Sequence, residues 1–142
     1  MAISAAEPNT KAARPSLNGL RVLLVEDSWI VAQSLKSMLE LIGTTVFGPA
    51  VTLDDATALA NSAQFDVAIM DLDLQGEMAD KLICALTWRG LPVVVVTGNE
   101  VQPELAEKVV AVLHKPLRLE ALLTKLREVR AAIEPPTIVR SN

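Results

Sequence analysis

Phe65-Asp66-Val67-Ala68-Ile69-Met70-Asp71-Leu72-Asp73 is the stretch that decides the fold, because it is an apolar run that stops abruptly on acid. The run is too short to span a membrane, and the following Gln75-Gly76 favours a turn, so we predict a strand buried on both faces of a parallel sheet. Ligands of open α/β sheets bind beyond the carboxyl ends of the strands, which makes Asp71 a candidate site residue. The alternative is that Asp71 only caps the helix that follows.

Length and composition limit the classes of protein to consider. At 142 residues the chain fits one domain that buries a core without disulfides, and its single cysteine, Cys84, fits a small core residue. Hydrophobic residues make up 51% of the sequence and aromatic residues only 3%, which is typical of an aliphatic α/β core. The net charge of -4 argues against nucleic acid as a partner. Since no segment approaches the ~20 apolar residues of a membrane span and no signal peptide is evident, we expect a soluble, cytoplasmic protein without a membrane partner.

Strand and helix patterns alternate along the chain. The predicted strands lie at 20–25, 44–47, 65–71, 91–97 and 109–113. The first predicted helix is capped by Asp27 or Ser28 and stops at Gly43, and the second opens at Thr52 or Asp54 and runs to about 61. The third follows a turn at Gly76 and is closed by Gly90, and the last two lie at 99–108 and about 117–132. This alternation predicts an open parallel sheet with right-handed crossovers and helices on both faces, since five units are too few for a closed β/α barrel. We predict a disordered N-terminal tail at 1–18, one domain at 19–132 and a C-terminal tail at 133–142.

Polar residues of complementary type follow four of the predicted strands. They are Glu26 and Asp27 after the first, Asp71 and Asp73 after the third, Thr97 after the fourth and Lys115 after the fifth. Carboxylates that converge at one edge of a sheet repel one another unless a cation joins them, and oxygen ligands favour a hard ion such as Mg²⁺. An Asp beside such an ion, with a Lys and a Thr opposite, has the nucleophile, charge neutralisation and hydroxyl that phosphoryl transfer to a carboxylate needs.

The four motifs Glu26-Asp27, Asp71, Thr97-Gly98 and Lys115-Pro116, in this order and each after its apolar run, resemble the receiver domain of two-component response regulators. The resemblance covers roughly residues 19–132. It implies a flavodoxin-like fold in which the strand order is 2-1-3-4-5.

The same resemblance implies roles for individual residues. Asp71 is the phosphoacceptor, and Mg²⁺ is held by Glu26, Asp27 and Asp71 together with the backbone carbonyl of Asp73. The remaining residues surround the phosphoryl group: the switch hydroxyl of Thr97, the small Gly98, the charge partner Lys115, and Pro116 after a cis peptide bond.

The function that the resemblance implies is that of a stand-alone, single-domain response regulator, which is a phosphoacceptor rather than an enzyme. At most it catalyses its own phosphorylation and dephosphorylation. Its phosphodonor is a sensor histidine kinase or a histidine phosphotransfer protein. It signals to a downstream protein target through the face of the fourth helix, fifth strand and fifth helix, and a homodimer through that face is a further implied assembly.

Several residues depart from the family pattern. Gln75 stands where proline is common, and Val112 stands where an aromatic residue is usual. Asp73 replaces a frequent Asn, so its side chain either binds metal through water or faces solvent. Trp29 either covers the mouth of the crevice or packs on the surface of the domain.

Two other functions remain alternatives at this point. A degenerate receiver would act as an unphosphorylated protein-interaction scaffold, which the departures at Gln75 and Val112 allow. A haloacid-dehalogenase-type phosphatase would use Asp71 as nucleophile and Asp73 as general acid, but its acidic pair should follow the lysine, and here the pair Glu26-Asp27 precedes the nucleophile.

Overall fold

A computed structural model describes residues 16–133 of the protein, so the parts of the predicted tails at 1–15 and 134–142 lie outside the described residues. The strands are β1 (Arg21–Val25), β2 (Thr45–Ala50), β3 (Val67–Asp71), β4 (Asp73–Leu74), β5 (Glu77–Met78), β6 (Val93–Thr97) and β7 (Ala111–His114). The helices are α1 (Trp29–Leu41), α2 (Leu53–Ser62), α3 (Asp80–Trp88), α4 (Pro103–Lys108) and α5 (Leu119–Ile133). No helix in the described part of the chain is both long and apolar enough to cross a bilayer.

The main sheet is parallel and has the strand order β2-β1-β3-β6-β7. Counted without the short β4 and β5, this is the order 2-1-3-4-5, so the predicted fold is confirmed. The central strand β3 pairs with β1 on one side and with β6 on the other. Asp71, its last residue, is in register with Val96, one residue before Thr97. The register therefore brings the acid and the hydroxyl to the same edge of the sheet.

Both faces of the sheet are covered by helices, as predicted. On one face Val67 and Ile69 pack with α1 and α5, and on the other Ala68 and Met70 pack with α2, α3 and α4. All five residues of β3 are buried, because alternate side chains of a strand enter the cores on opposite sides. Asp71 therefore lies at the end of a strand whose side chains are packed on both faces of the sheet.

The packed chain begins earlier than the sequence pattern suggested. Leu17 is only 6% exposed and belongs to the core beneath α1 and α5, although the predicted tail extended to residue 18. Backbone hydrogen bonds secure this segment, since Leu20 N–H donates to the Leu17 carbonyl and Gly19 N–H donates to the Gly43 carbonyl. A single apolar residue among polar neighbours has no periodicity that would have revealed this packing.

A short antiparallel hairpin, β4–β5, separates β3 from α3, where the sequence predicted a direct turn into the helix. Its two-residue turn is Gln75-Gly76, and both residues have positive φ, 55° and 89°, as turns that connect adjacent antiparallel strands commonly do. Leu74 is 2% exposed and fixes the hairpin to the core. Two-residue strands are too short to show a period of two, so the pattern could not predict them.

The helix α4 is short and thinly packed. It spans six residues, Pro103–Lys108, instead of the predicted 99–108, and Leu105 is its one buried residue. Pro103 occupies the first turn, where its missing N–H leaves no helical hydrogen bond unmade. The residues from Asn99 to Gln102 form a loop that leads from the end of β6 into this helix.

Candidate functional site

An open cleft of about 330 Å³ lies at the carboxyl edge of the sheet. Its lining residues are Asp27, Asp71, Asp73, Gln75, Gly76, Thr97, Gly98, Asn99 and Lys115. These residues come from the ends of β1, β3, β6 and β7 and from the β4–β5 hairpin. The structure therefore brings together residues that are far apart in the sequence.

Three carboxylates form a tight cluster in this cleft. One oxygen from each of Glu26, Asp27 and Asp71 lies within 4.8 Å of the others. Glu26 and Asp71 are buried and Asp27 is half-buried, so solvent reaches the cluster mainly from the side of Asp27. This all-oxygen donor set fits a hard divalent cation such as Mg²⁺.

Lys115 places one positive charge against two of the three carboxylates. Its Nζ lies 2.9 Å from Asp71 Oδ2 and 3.4 Å from Glu26 Oε1. Burial lowers the pKa of Lys115, but the hydrogen bond and charge of Asp71, followed by those of Glu26, outweigh it and raise the pKa above its usual value. Lys115 N–H donates to the Thr97 carbonyl at 2.9 Å, and the following bond to Pro116 is cis.

Burial makes ionisation of the Glu26 carboxyl unfavourable. Burial raises the pKa of the Glu26 carboxyl above the ordinary range, and the charge of Asp71 and a side-chain hydrogen bond with Asp27 act in the same direction. The N–H of Ser28, which donates to Glu26 Oε2 at 3.0 Å, and the charge of Lys115 only partly offset this rise in pKa. A raised carboxyl pKa favours the folded state below the unfolded pKa, and this contribution is lost as pH rises through the folded pKa. Ionisation of Glu26 as pH rises through its folded pKa therefore lowers the stability of the metal-free fold.

Thr97 and Gly98 form the opposite wall of the cleft. Thr97 is buried, and its Oγ1 accepts a hydrogen bond from the Asn99 N–H at 3.0 Å. This bond links the hydroxyl to the loop that precedes α4. A Cβ added at Gly98 would contact nothing within 4 Å, so the space beside the loop is open.

The β4–β5 hairpin borders the cleft. Two of its hydrogen bonds reach cluster carboxylates, and a third lies within its own turn. Asp73 N–H donates to Asp71 Oδ1 at 3.2 Å, and Gln75 N–H donates to Asp27 Oδ2 at 2.9 Å. Gly76 N–H donates to Asp73 Oδ1 at 2.8 Å. The Asp73 side chain thus holds the turn through Oδ1, a role that neither of its predicted alternatives included. The hydrogen bond from Gln75 to Asp27 was not predicted from the sequence either. The only sequence feature that pointed to this segment was Gln75-Gly76, which favours a turn.

With this geometry in place, the chain can be compared with known proteins. The sequence profile of the response regulator receiver domain matches residues 22–127, a range that includes every residue of the cleft. The chain belongs to this family. No curated protein matches the sequence.

Solved receiver structures have the same fold. The receiver domain of the Francisella response regulator 1452 is 20% identical, with a TM-score of 0.72 over 82% of this chain and 100% of that one. The chemotaxis response regulator CheY4 of Vibrio cholerae is 27% identical, with a TM-score of 0.67 over 79% and 99% of the two chains. A CheY-like receiver domain from Methylobacillus flagellatus is 25% identical, with a TM-score of 0.69 over 79% and 99%.

Membership of the family establishes the general function. Receiver domains are phosphoacceptor regulators that exchange signals with histidine kinases or phosphotransfer proteins and with downstream targets, and they generally bind Mg²⁺ at an acidic pocket. This receiver has an acidic cluster of Glu26, Asp27 and Asp71 at the carboxyl edge of its sheet.

The rim of the receiver's cleft is apolar on the α1 side. Ile30, Val31 and Met38 are exposed, and with Pro116 and Leu117 they line a groove of about 380 Å³ that adjoins Lys115. Trp29 is 64% exposed at the start of α1 and is not among the described residues that line the cleft. Of its two predicted alternatives, this position agrees with the second, a residue on the surface of the domain.

Proposed function

We propose that this receiver accepts a phosphoryl group on Asp71 in a Mg²⁺-dependent reaction and signals through changed protein binding. The observation that carries the proposal is the cluster itself, in which three carboxylates lie within 4.8 Å and Lys115 bridges two of them. A structural role alone does not account for this concentration of carboxylates, since ionisation of the buried Glu26 lowers the stability of the metal-free fold.

In the proposed reaction, an oxygen of Asp71 attacks the phosphorus, an O–P bond forms, and the bond between phosphorus and the donor breaks. Both carboxylate oxygens of Asp71 are oriented in advance, one by the Asp73 N–H and the other by Lys115 Nζ. Glu26, Asp27, Asp71 and the Asp73 carbonyl would hold Mg²⁺, which would supply positive charge to offset that of the phosphoryl group. Lys115 then pairs with the transferred group, and the Thr97 hydroxyl, with Gly98 leaving room beside it, hydrogen-bonds to that group.

The apolar rim supports a protein as the phosphodonor, either a sensor histidine kinase or a histidine phosphotransfer protein. A donor that delivers its phosphoryl group to Asp71 must cover the mouth of the cleft, and the groove beside Lys115 adjoins that mouth. Ile30, Val31 and Met38 would lose their exposed apolar surface in such a complex. A small-molecule donor has no need of this surface.

Binding of Mg²⁺ to the unphosphorylated protein should raise its thermal stability, because the ion relieves the repulsion among Glu26, Asp27 and Asp71. At ten times the dissociation constant, a ligand specific to the folded state adds about 1.4 kcal/mol, which corresponds to roughly 5 °C for a domain of this size. Asp27→Asn should reduce that shift to less than half. Differential scanning fluorimetry across a Mg²⁺ titration measures both values. A melting temperature that does not respond to millimolar Mg²⁺ would indicate a degenerate site.

We further propose that the output face consists of α4, β7 and α5, to which a downstream target or a second copy of the chain binds. Val112 on β7 is β-branched and has no ring to rotate, so the response must come from another part of this face. The loop after Thr97 and the thin helix α4 are the natural candidates, because Asn99 N–H is bonded to the Thr97 hydroxyl. A hydrogen bond from Thr97 to the phosphoryl group, worth about 2 kcal/mol, could shift so lightly packed an element.

Phosphorylation should therefore loosen or displace residues 98–108 and leave Val112 nearly unchanged. Hydrogen exchange with and without the phosphoryl mimic beryllofluoride measures this response. The expected result is faster exchange in the loop and in α4. The account of the switch fails if the exchange changes are confined to the opposite side of the molecule, around α1.

A further inference from the structure

The β4–β5 hairpin joins the phosphoacceptor to a metal ligand that lies on a different strand. It begins two residues after Asp71, whose Oδ1 accepts from the Asp73 N–H, and its turn reaches Asp27 at the end of β1 through the Gln75 N–H. A proline at position 75, which is common in the family, has no N–H and could not make the second contact. The departure at Gln75 is therefore a gain of one hydrogen-bond donor at the site.

The Gln75 N–H acts on Asp27 in a defined way. It donates to Asp27 Oδ2 at 2.9 Å and so restrains the orientation of that carboxylate. Hydrogen bonds to metal-ligating carboxylates fix their orientation, and loss of such a bond typically weakens metal binding by about 10- to 100-fold. Asp27 needs this support, since it is the most exposed of the three carboxylates in the cluster.

The turn that presents the Gln75 N–H is held by Asp73. Gln75 has φ 55°, a left-handed conformation that is unfavourable for a residue with a side chain. Two contacts compensate for it: Leu74 is buried in the core, and Asp73 Oδ1 accepts from the Gly76 N–H at 2.8 Å. Without the Asp73 oxygen, the turn would keep the Leu74 anchor and the β4–β5 pairing but lose the side-chain bond within the turn itself.

We propose that Asp73 is a positioning residue for the metal ligand Asp27, acting through the conformation of the Gln75-Gly76 turn. The proposal rests on the proposed Mg²⁺ site and adds a determinant of its affinity. The Asp73 carboxylate positions Asp27 because it accepts a hydrogen bond from the turn, and not because it is charged. An amide oxygen at the same place should therefore replace it, because Asn also offers an acceptor to the Gly76 N–H.

The test compares Asp73→Ala with Asp73→Asn in the full-length chain by nuclear magnetic resonance. A Mg²⁺ titration gives the dissociation constant, and exchange of the Gln75 amide in the absence of metal gives the strength of the bond to Asp27. Asp73→Ala should weaken Mg²⁺ binding about 10-fold and remove the protection of the Gln75 amide. Asp73→Asn should stay within about threefold of the unmodified protein and retain that protection, which a purely electrostatic role would not permit.

Glu77→Gln is the matched control for charge, because Glu77 is an exposed carboxylate on the same hairpin. It should leave both measurements unchanged. The proposal is overturned if Asp73→Ala behaves like the unmodified protein, or if Asp73→Asn weakens binding and exposes the Gln75 amide as much as Asp73→Ala does. If the unmodified protein binds no Mg²⁺, the proposed function fails, and the exchange of the Gln75 amide still decides whether Asp73 holds the turn.

Discussion

Asp71→Asn should abolish phosphorylation of this receiver. Asp71 is the one carboxylate of the cluster that ends the central strand, contacts Lys115 and is oriented by a backbone N–H on its other oxygen. An amide is a far weaker nucleophile than a carboxylate, and the substitution also removes a proposed metal ligand. Intact-mass spectrometry after incubation with a small phosphodonor and Mg²⁺ should therefore show no added phosphoryl group in the variant.

Asp73, the acidic residue nearest to Asp71 in the sequence, supplies the control for this experiment. Asp73→Asn retains Asp71 and the acceptor for the Gly76 N–H, so it should still gain one phosphoryl group. If Asp71→Asn is labelled as fully as the unmodified protein, the nucleophile has been assigned to the wrong residue.

Lys115→Ala should lower the phosphorylation rate by about 100-fold, the usual loss when one donor to a developing charge is removed. It should spare the metal site, because the carboxylates of Glu26, Asp27 and Asp71 all remain. Without the ammonium group, Glu26 and Asp71 repel each other, so the metal-free variant should melt at a lower temperature. Mg²⁺ should then stabilise it at least as much as the unmodified protein.

Two measurements separate these effects: the rate of mass gain with a small phosphodonor, and the melting temperature with and without Mg²⁺. Lys115→Arg retains the positive charge and should keep most of the metal-free stability. Equal loss of Mg²⁺ binding and of phosphorylation in Lys115→Ala would contradict the role of Lys115 as the partner of the phosphoryl group.

The sheet and its carboxyl edge could be predicted from the sequence because each strand has a strong local signal. The apolar run from Phe65 to Met70 suits a strand buried on both faces, and four consecutive valines at 93–96 disfavour a helix. Parallel strands joined by helices have their carboxyl ends at one edge, so Asp71, Thr97 and Lys115 had to meet there.

The hairpin and the roles of its residues could not be predicted, because they depend on contacts that no periodicity encodes. Gln75 adopts a positive φ that favours glycine, and its backbone N–H serves a side chain 48 positions earlier in the chain. Asp73 looked like an extra acid beside a metal site, yet its carboxylate accepts from the Gly76 N–H three residues later. The burial of Leu17 could not be predicted for a related reason, because Leu17 packs with helices that are distant from it in the sequence.

The central claim is that this receiver takes up a phosphoryl group through a metal-dependent carboxylate, and the intact mass of the unmodified protein tests it most directly. The full-length chain is incubated with a small phosphodonor, once with Mg²⁺ and once with excess chelator. The account predicts the mass of one added phosphoryl group with Mg²⁺ and none with chelator. No gain of mass with Mg²⁺, or the same gain in both samples, would contradict it.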